Sequence, residues 1–171
     1  MPVPAFEAPT VDLAERAILV TGASGGLGRP LALACAACGA TVVLHGRLVR
    51  KLEAVYDEIV AAGCPEPTIL PLDLAKASRA DIDNVAGALR SQLGRLDGIV
   101  HTAAFLGSLG PVEHQDPDAW RTAFEVNVTG ALAMTRAALP LLAAAADASV
   151  VFTLDSRGID PRAFWGAYAA S

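Results

Sequence analysis

Eight residues, Thr21-Gly22-Ala23-Ser24-Gly25-Gly26-Leu27-Gly28, separate the apolar run Ala17-Ile18-Leu19-Val20 from a helical pattern over Leu31 to Cys38. A strand, a glycine turn and a helix in that order make a cradle for phosphate. Gly22 permits the tight turn after the strand. Gly26 has no Cβ, so a phosphate group can approach the backbone, and Gly28 lets the helix pack close to the sheet. The helix N-terminus then presents free N–H groups and a partial positive charge. The glycine spacing is G-x-x-x-G-x-G, which differs from G-x-G-x-x-G, and no Gly-Lys-Ser/Thr follows to make a P-loop. An ordinary strand-to-helix loop is the alternative, and the remainder of the chain weighs against it.

After a short Pro-containing lead-in over residues 1–15, strand and helix patterns alternate. Apolar runs at Ala17–Thr21, Thr41–His45, Thr68–Leu72, Gly98–Ala103 and Ser149–Leu154 predict strands. Helical patterns lie between them at Gly26–Cys38, Val49–Ala62, Arg79–Leu93 and Pro117–Ala145, the last with a turn near its start. The apolar runs are continuous rather than alternating, which predicts strands buried on both faces. Such alternation means βαβ units with right-handed crossovers. The predicted fold is therefore α/β: a Rossmann-type, doubly wound parallel sheet in three layers over residues 16–171, strand order 3-2-1-4-5. Its ligand crevice is expected at the carboxyl ends of strands 1 and 4.

Composition supports one domain. With 171 residues, 53% of them apolar and 18% charged, the chain is expected to fold and to bury a sizeable core. The net charge of -5 argues against nucleic acid or an anionic membrane as partner, so phosphate binding must come from local geometry and a few local cations. No signal peptide or membrane-spanning run is read, and three sparse cysteines suit a reducing compartment, so a cytoplasmic protein is expected. Cys35-x-x-Cys38 has no second ligand pair and is read as small buried helix residues, so no metal site is expected.

Distance from the glycine turn gives the other candidates their places. Strand 2 ends at His45-Gly46-Arg47, with Arg50 and Lys51 close behind. A dinucleotide site preferring NAD would carry an acid there for the ribose hydroxyls, whereas the Arg47 guanidinium suits a 2′-phosphate and hence NADP. Ordinary charges at a helix start are the alternative. Asp73-Leu74 follows strand 3, and the Asp73 carboxylate either accepts from an adenine amino group or caps the next turn. Thr102, Ala103 and Ala104 end strand 4 with small residues that let it lie against a cofactor. His101 is read as a hydrogen-bonding or structural residue, and His45 and His114 as structural.

Together these motifs resemble the short-chain dehydrogenase/reductase family, and its YciK-like bacterial branch. The resemblance rests on the Thr21–Gly28 turn, Asp73-Leu74, Leu96-Asp97-Gly98-Ile99-Val100-His101-Thr102-Ala103-Ala104, Asn127 in Phe124-Glu125-Val126-Asn127-Val128, and Trp165-Gly166-Ala167-Tyr168-Ala169-Ala170-Ser171. They cover almost the whole chain in order. The resemblance implies NAD(P)-dependent hydride transfer between a carbonyl and an alcohol. It also implies Tyr168 as general acid/base and Asn127 as holder of a water in a proton relay. The cofactor residues it implies are Thr21, Gly22, Ser24, Gly26, Leu27, Gly28, Arg47, Asp73, Leu74, Thr102, Ala103 and Ala104. A small-molecule substrate and a homodimer or homotetramer, built through the long fourth helix and the Tyr168 helix, are implied in the same way.

Three departures from the family pattern stand out. The family's asparagine after strand 4 is missing from His101-Thr102-Ala103-Ala104, and Thr102 is the candidate to replace it. The substrate-orienting serine, thirteen residues before the tyrosine, falls on Asp155, with Ser156 beside it. A charged carboxylate there would oppose a tyrosinate, whereas a protonated one could donate to the substrate oxygen. Either Asp155 or Ser156 is therefore expected to orient substrate. Finally, the family lysine four residues after the tyrosine, the last strands and the substrate-binding region would lie beyond Ser171. The chain is thus expected to be part of a longer protein. A non-catalytic NAD(P)-binding sensor or scaffold is the alternative function.

Overall fold

The computed structural model describes residues 11–171; most of the lead-in therefore lies outside the described residues. Five strands form one parallel sheet: β1 (Ala17–Thr21), β2 (Thr41–Gly46), β3 (Thr68–Pro71), β4 (Gly98–His101) and β5 (Ser149–Phe152). Their order is β3-β2-β1-β4-β5, as the alternation predicts. β1 is central, pairing Thr21 with His45 of β2 on one side and with His101 of β4 on the other.

Helices α1 (Gly28–Ala37), α2 (Val49–Ala61), α3 (Arg79–Leu93), α4 (Pro117–Phe124), α5 (Ala131–Leu142) and α6 (Gly166–Ala170) connect and cover the strands. Side chains alternate along each strand and so feed two cores. Ile18, Val20, Val42 and Leu44 pack with Ala32 and Ala36 of α1 and Leu52, Val55 and Ile59 of α2. Leu19, Val43 and Ile99 pack on the opposite face with Val85 and Leu89 of α3 and Met134, Ala138 and Leu141 of α5.

Single side chains tie these elements. Asp97 accepts from the Ala17 N–H at 2.9 Å and pairs with Arg95, so a buried carboxylate anchors the first residue of β1. Ser78 and Asp81 cap each other across the first turn of α3.

Three expectations need correction. The long helical pattern from Pro117 is not one α-helix, because a π-helical segment over Glu125–Gly130 separates α4 from α5. A Cβ on Gly130 would stand 2.9 Å from both the Glu125 carbonyl and the Leu74 Cβ, so the segment is tightly seated against the loop after β3. Burial on both faces also fails for β5. It is an edge strand in which Val150, Val151 and Phe152 are 40%, 46% and 51% exposed. Cys35 and Cys38 are half-buried and reduced, not fully buried, and no metal-binding cluster occurs among the described residues. No described helix is long and apolar enough to cross a membrane.

Candidate active site

The site is built on the C-terminal ends of β1, β2 and β4. Gly22 leaves β1 with φ +67°, and a Cβ there would stand 2.8 Å from the Ala103 Cα. A Cβ on Gly28 would stand 2.2 Å from the Gly22 carbonyl oxygen. Gly28 therefore lets α1 start against the turn itself, a closer contact than packing on the sheet. Gly26 is different: a Cβ there meets nothing within 4 Å, so its backbone faces open space.

Thr21 and Thr102 lock the two strand ends together. The Thr21 Oγ1 accepts from the Thr102 and Ala103 N–H groups at 3.1 and 3.2 Å, and the Thr102 hydroxyl donates to the Thr21 carbonyl. Thr102 thus supplies the tie expected of it. Thr21 is fully buried in that role and lines neither cleft described below.

Two clefts open side by side at these strand ends. One, of about 300 Å³, lies over β2 and β3 and is lined by Gly22, Ser24, Gly26, Arg47, Lys51 and Leu74, among others. The second, of about 540 Å³, lies over β4 and β5 and is lined by Leu27, Asn127, Asp155, Tyr168 and Ser171, among others. Thr102, Ala103 and Ala104 line both, so the end of β4 is the bridge between them. The glycine turn and two cations in the first cleft suit phosphate groups; the phenol and carboxylate in the second suit proton transfer.

Asn127 sits in the π-helical segment, a distortion common at functional sites. Its Oδ1 accepts from the Phe105 N–H at 2.7 Å, and its Nδ2 donates to the Phe105 carbonyl at 3.2 Å and to the Ser171 hydroxyl at 2.8 Å. Ser171 carried no sequence signal for this contact. The Tyr168 hydroxyl stands 3.4 Å from the Asp155 Oδ2, and its ring leans on Trp165. Burial, then the Asp155 charge, then this contact push the Tyr168 phenol above its ordinary pKa.

Of the two candidates for the serine position, Asp155 lines the cleft and Ser156 does not. The Ser156 hydroxyl instead accepts from the Arg157 guanidinium at 3.1 Å and donates to Asp155. The Asp73 Oδ1 accepts from the Ala75 N–H at 3.2 Å, and its neighbours Leu72 and Leu74 line the first cleft. Gly28 is buried beneath the turn. His101 is hydrogen-bonding and structural, with Nε2 2.9 Å from the Thr135 hydroxyl and its ring stacked on Phe152. Lys51, read from the sequence only as a nearby cation, and His45, read as structural, also line the first cleft.

A doubly wound parallel sheet with its glycine turn at the point where the strand order reverses defines a Rossmann-type domain. A model of the short chain dehydrogenase family matches residues 16–171, and the chain belongs to that family. The uncharacterized oxidoreductase YciK of Escherichia coli K12 is 42% identical over 164 residues, which are 95% of this chain and 65% of that protein. The chain thus spans just under two thirds of that relative's length. A short chain dehydrogenase from Escherichia coli CFT073, solved in complex with NADPH, superposes with a TM-score of 0.91 at 41% identity, covering 95% of this chain and 68% of that one. One from Shigella flexneri, solved with NADP, gives 0.91 at 40% identity, with coverage of 95% and 68%. The resemblance to the YciK-like branch is borne out.

Proposed function

We propose that this chain carries the cofactor site and the proton-transfer residues of an NADP-preferring oxidoreductase that interconverts a carbonyl and an alcohol. The observation that carries the reading is the pair of clefts meeting at Thr102–Ala104, with the glycine turn in one and Tyr168 in the other. Similarity to proteins solved with NADPH and NADP supports the cofactor class.

The residues present fit such a cofactor. The open face of Gly26 leaves room for a pyrophosphate, and Arg47 and Lys51 bring positive charge to the β2 side of the first cleft. Arg47 suits the 2′-phosphate. Gly22, Ser24 and Leu74 would line the nucleotide, with Ala103 and Ala104 beneath its middle and Leu27 at the border of the second cleft. Thr21, Thr102, Gly28 and Asp73 act by shaping the turn and the strand ends. When bound, the nicotinamide supplies or accepts the hydride.

The protein's own part is proton transfer and positioning. A phenol held above its ordinary pKa stays protonated at neutral pH, ready to donate to a carbonyl oxygen as it gains charge. Asp155 faces the same cleft and is assigned, as a hydrogen-bond acceptor, the contact to the hydroxyl of the alcohol, in preference to Ser156. Asn127, anchored to the Phe105 backbone, is assigned the relay position.

The assignment extends to a small-molecule substrate, a cytoplasmic setting and a homo-oligomer. Exposed Phe124, Val128, Leu132 and Leu139 along the α4–α5 stretch support an oligomer built through those helices. The named relatives are oxidoreductases or dehydrogenases, which supports catalysis rather than a non-catalytic sensor or scaffold.

The test is a fluorescence titration with NADPH and NADH, followed by a carbonyl panel with the wild-type chain and Tyr168→Phe. NADPH should bind more tightly than NADH, and turnover should disappear in the variant. Absence of binding by either nucleotide would sink the reading; binding without turnover by the full-length protein would select the non-catalytic alternative.

A further inference from the structure

His45 is the penultimate residue of β2 and is 1% exposed. Neither its Nδ1 nor its Nε2 has a hydrogen-bond partner among the described residues. The other buried polar side chains are satisfied: Thr21 holds Thr102 and Ala103, His101 meets Thr135, and Asp97 receives the Ala17 N–H. An imidazole stripped of water and left unpaired is destabilising, and such groups call for an explanation.

Its position supplies one. Strand alternation puts His45 on the same face as Val43, and register sets it between Thr21 of β1 and Leu70 of β3. There His45 is one of the residues lining the first cleft, whose remaining wall on this face is apolar: Leu72, Leu74, Phe105 and Val126. It does not border the second cleft, where Tyr168 and Asn127 stand. Apolar walls with one polar group at the floor match a purine nucleoside, which has apolar ring faces and hydrogen-bonding edges.

We propose that His45 is a hydrogen-bonding residue for the adenosine end of the bound nucleotide, and that its ring nitrogens find their partner there. This rests on the reading of the first cleft as a nucleotide site. Burial, and the nearby His101, lower the His45 pKa to about 4, so near pH 7 the ring is neutral and offers one N–H and one lone pair. The role differs from that of Arg47, whose charge addresses a phosphate; His45 addresses the nucleoside whether or not the 2′-phosphate is present.

The experiment compares the full chain with His45→Leu and His45→Gln. It measures calorimetric binding of NADPH and of adenosine 2′,5′-bisphosphate, and the melting temperature without ligand. The leucine variant should melt higher, because an unpaired buried polar group has gone. It should also bind both ligands about tenfold more weakly, by the same factor. The glutamine variant, which keeps a donor and an acceptor, should recover much of that loss. Should the leucine variant not fold, His45→Val carries the same comparison. Unchanged affinities in a folded apolar variant, or a loss confined to NADPH, would overturn the inference while leaving the cleft a nucleotide site. A wild-type chain that binds neither ligand would overturn the nucleotide reading, and this inference with it.

Discussion

The Tyr168 hydroxyl and the Asp155 Oδ2 stand 3.4 Å apart, bringing together a phenol and a carboxylate thirteen positions apart in the chain. The separation is long for an O–H···O bond. Burial and the carboxylate charge therefore outweigh the contact itself in raising the Tyr168 pKa. Replacing Asp155 by Ser removes the charge and leaves the burial. Tyr168 should then ionise at lower pH than in the wild type. An ultraviolet titration, read as the difference from Tyr168→Phe in each background, measures this. An unchanged midpoint would mean that the carboxylate is not acting on the phenol.

Arg47 and Gly46 close the β2 side of the first cleft with no acidic side chain at the strand end. Arg47→Ala should weaken NADPH binding by about tenfold to a hundredfold, the range of one charge-assisted contact, and leave NADH nearly unchanged. Parallel calorimetric titrations decide the matter. Equal losses for both nucleotides would remove Arg47 from the 2′-phosphate.

Gly26 and Gly28 should respond differently to the same added methyl group. Gly28→Ala puts a Cβ against the Gly22 carbonyl and the Thr102 hydroxyl, so the turn must move, at a stability loss of about 1–3 kcal/mol. Gly26→Ala meets no protein atom within 4 Å and should melt like the wild type, yet bind nucleotide more weakly because the methyl group enters the cleft. Denaturation and binding curves of both variants test the distinction; a strongly destabilised Gly26→Ala would contradict it.

Acid should destabilise the fold through two histidines. Burial lowers His45 and His101 from 6.5 to about 4. Between those values the unfolded chain binds protons that the folded chain refuses. The penalty for charging them in the folded state is therefore absent above about pH 6.5 and grows as pH falls toward 4. Urea midpoints at pH 7 and pH 4.5 should differ less in His45→Leu than in the wild type. An identical difference would show that His45 does not contribute.

Much of the fold was legible because local chemistry dictates it. Continuous apolar runs make buried parallel strands, so β1 and α3 fall on their predicted residues and the strand order follows. The other element ends shift by a few residues, since fraying and capping, not periodicity, set them. The break at Glu125–Gly130 was not legible. The apolar pattern runs through it, and the segment lies against Leu74, which is distant in sequence.

Site residues divide in the same way. Gly22 and Gly28 could be placed from the sequence, because a tight turn between strand and helix leaves no room for a side chain there. Which of Asp155 and Ser156 faces the cleft could not, because adjacent residues at the end of an exposed edge strand carry no period that orients them. The unpaired ring of His45 was not legible for a related reason: a strand pattern shows that a position is buried, but not whether its polar atoms are satisfied. By itself the sequence determined the parallel α/β sheet and the glycine turn, because these follow from periodicity and backbone sterics over short stretches, whereas Asn127 and Tyr168 were placed by the family resemblance of their motifs. Only the tertiary structure decided that Asp155 meets Tyr168, that Asn127 is held by Phe105, and that the His45 ring is left unpaired beside the cleft. Those relations depend on the distances and burial created when remote segments pack together.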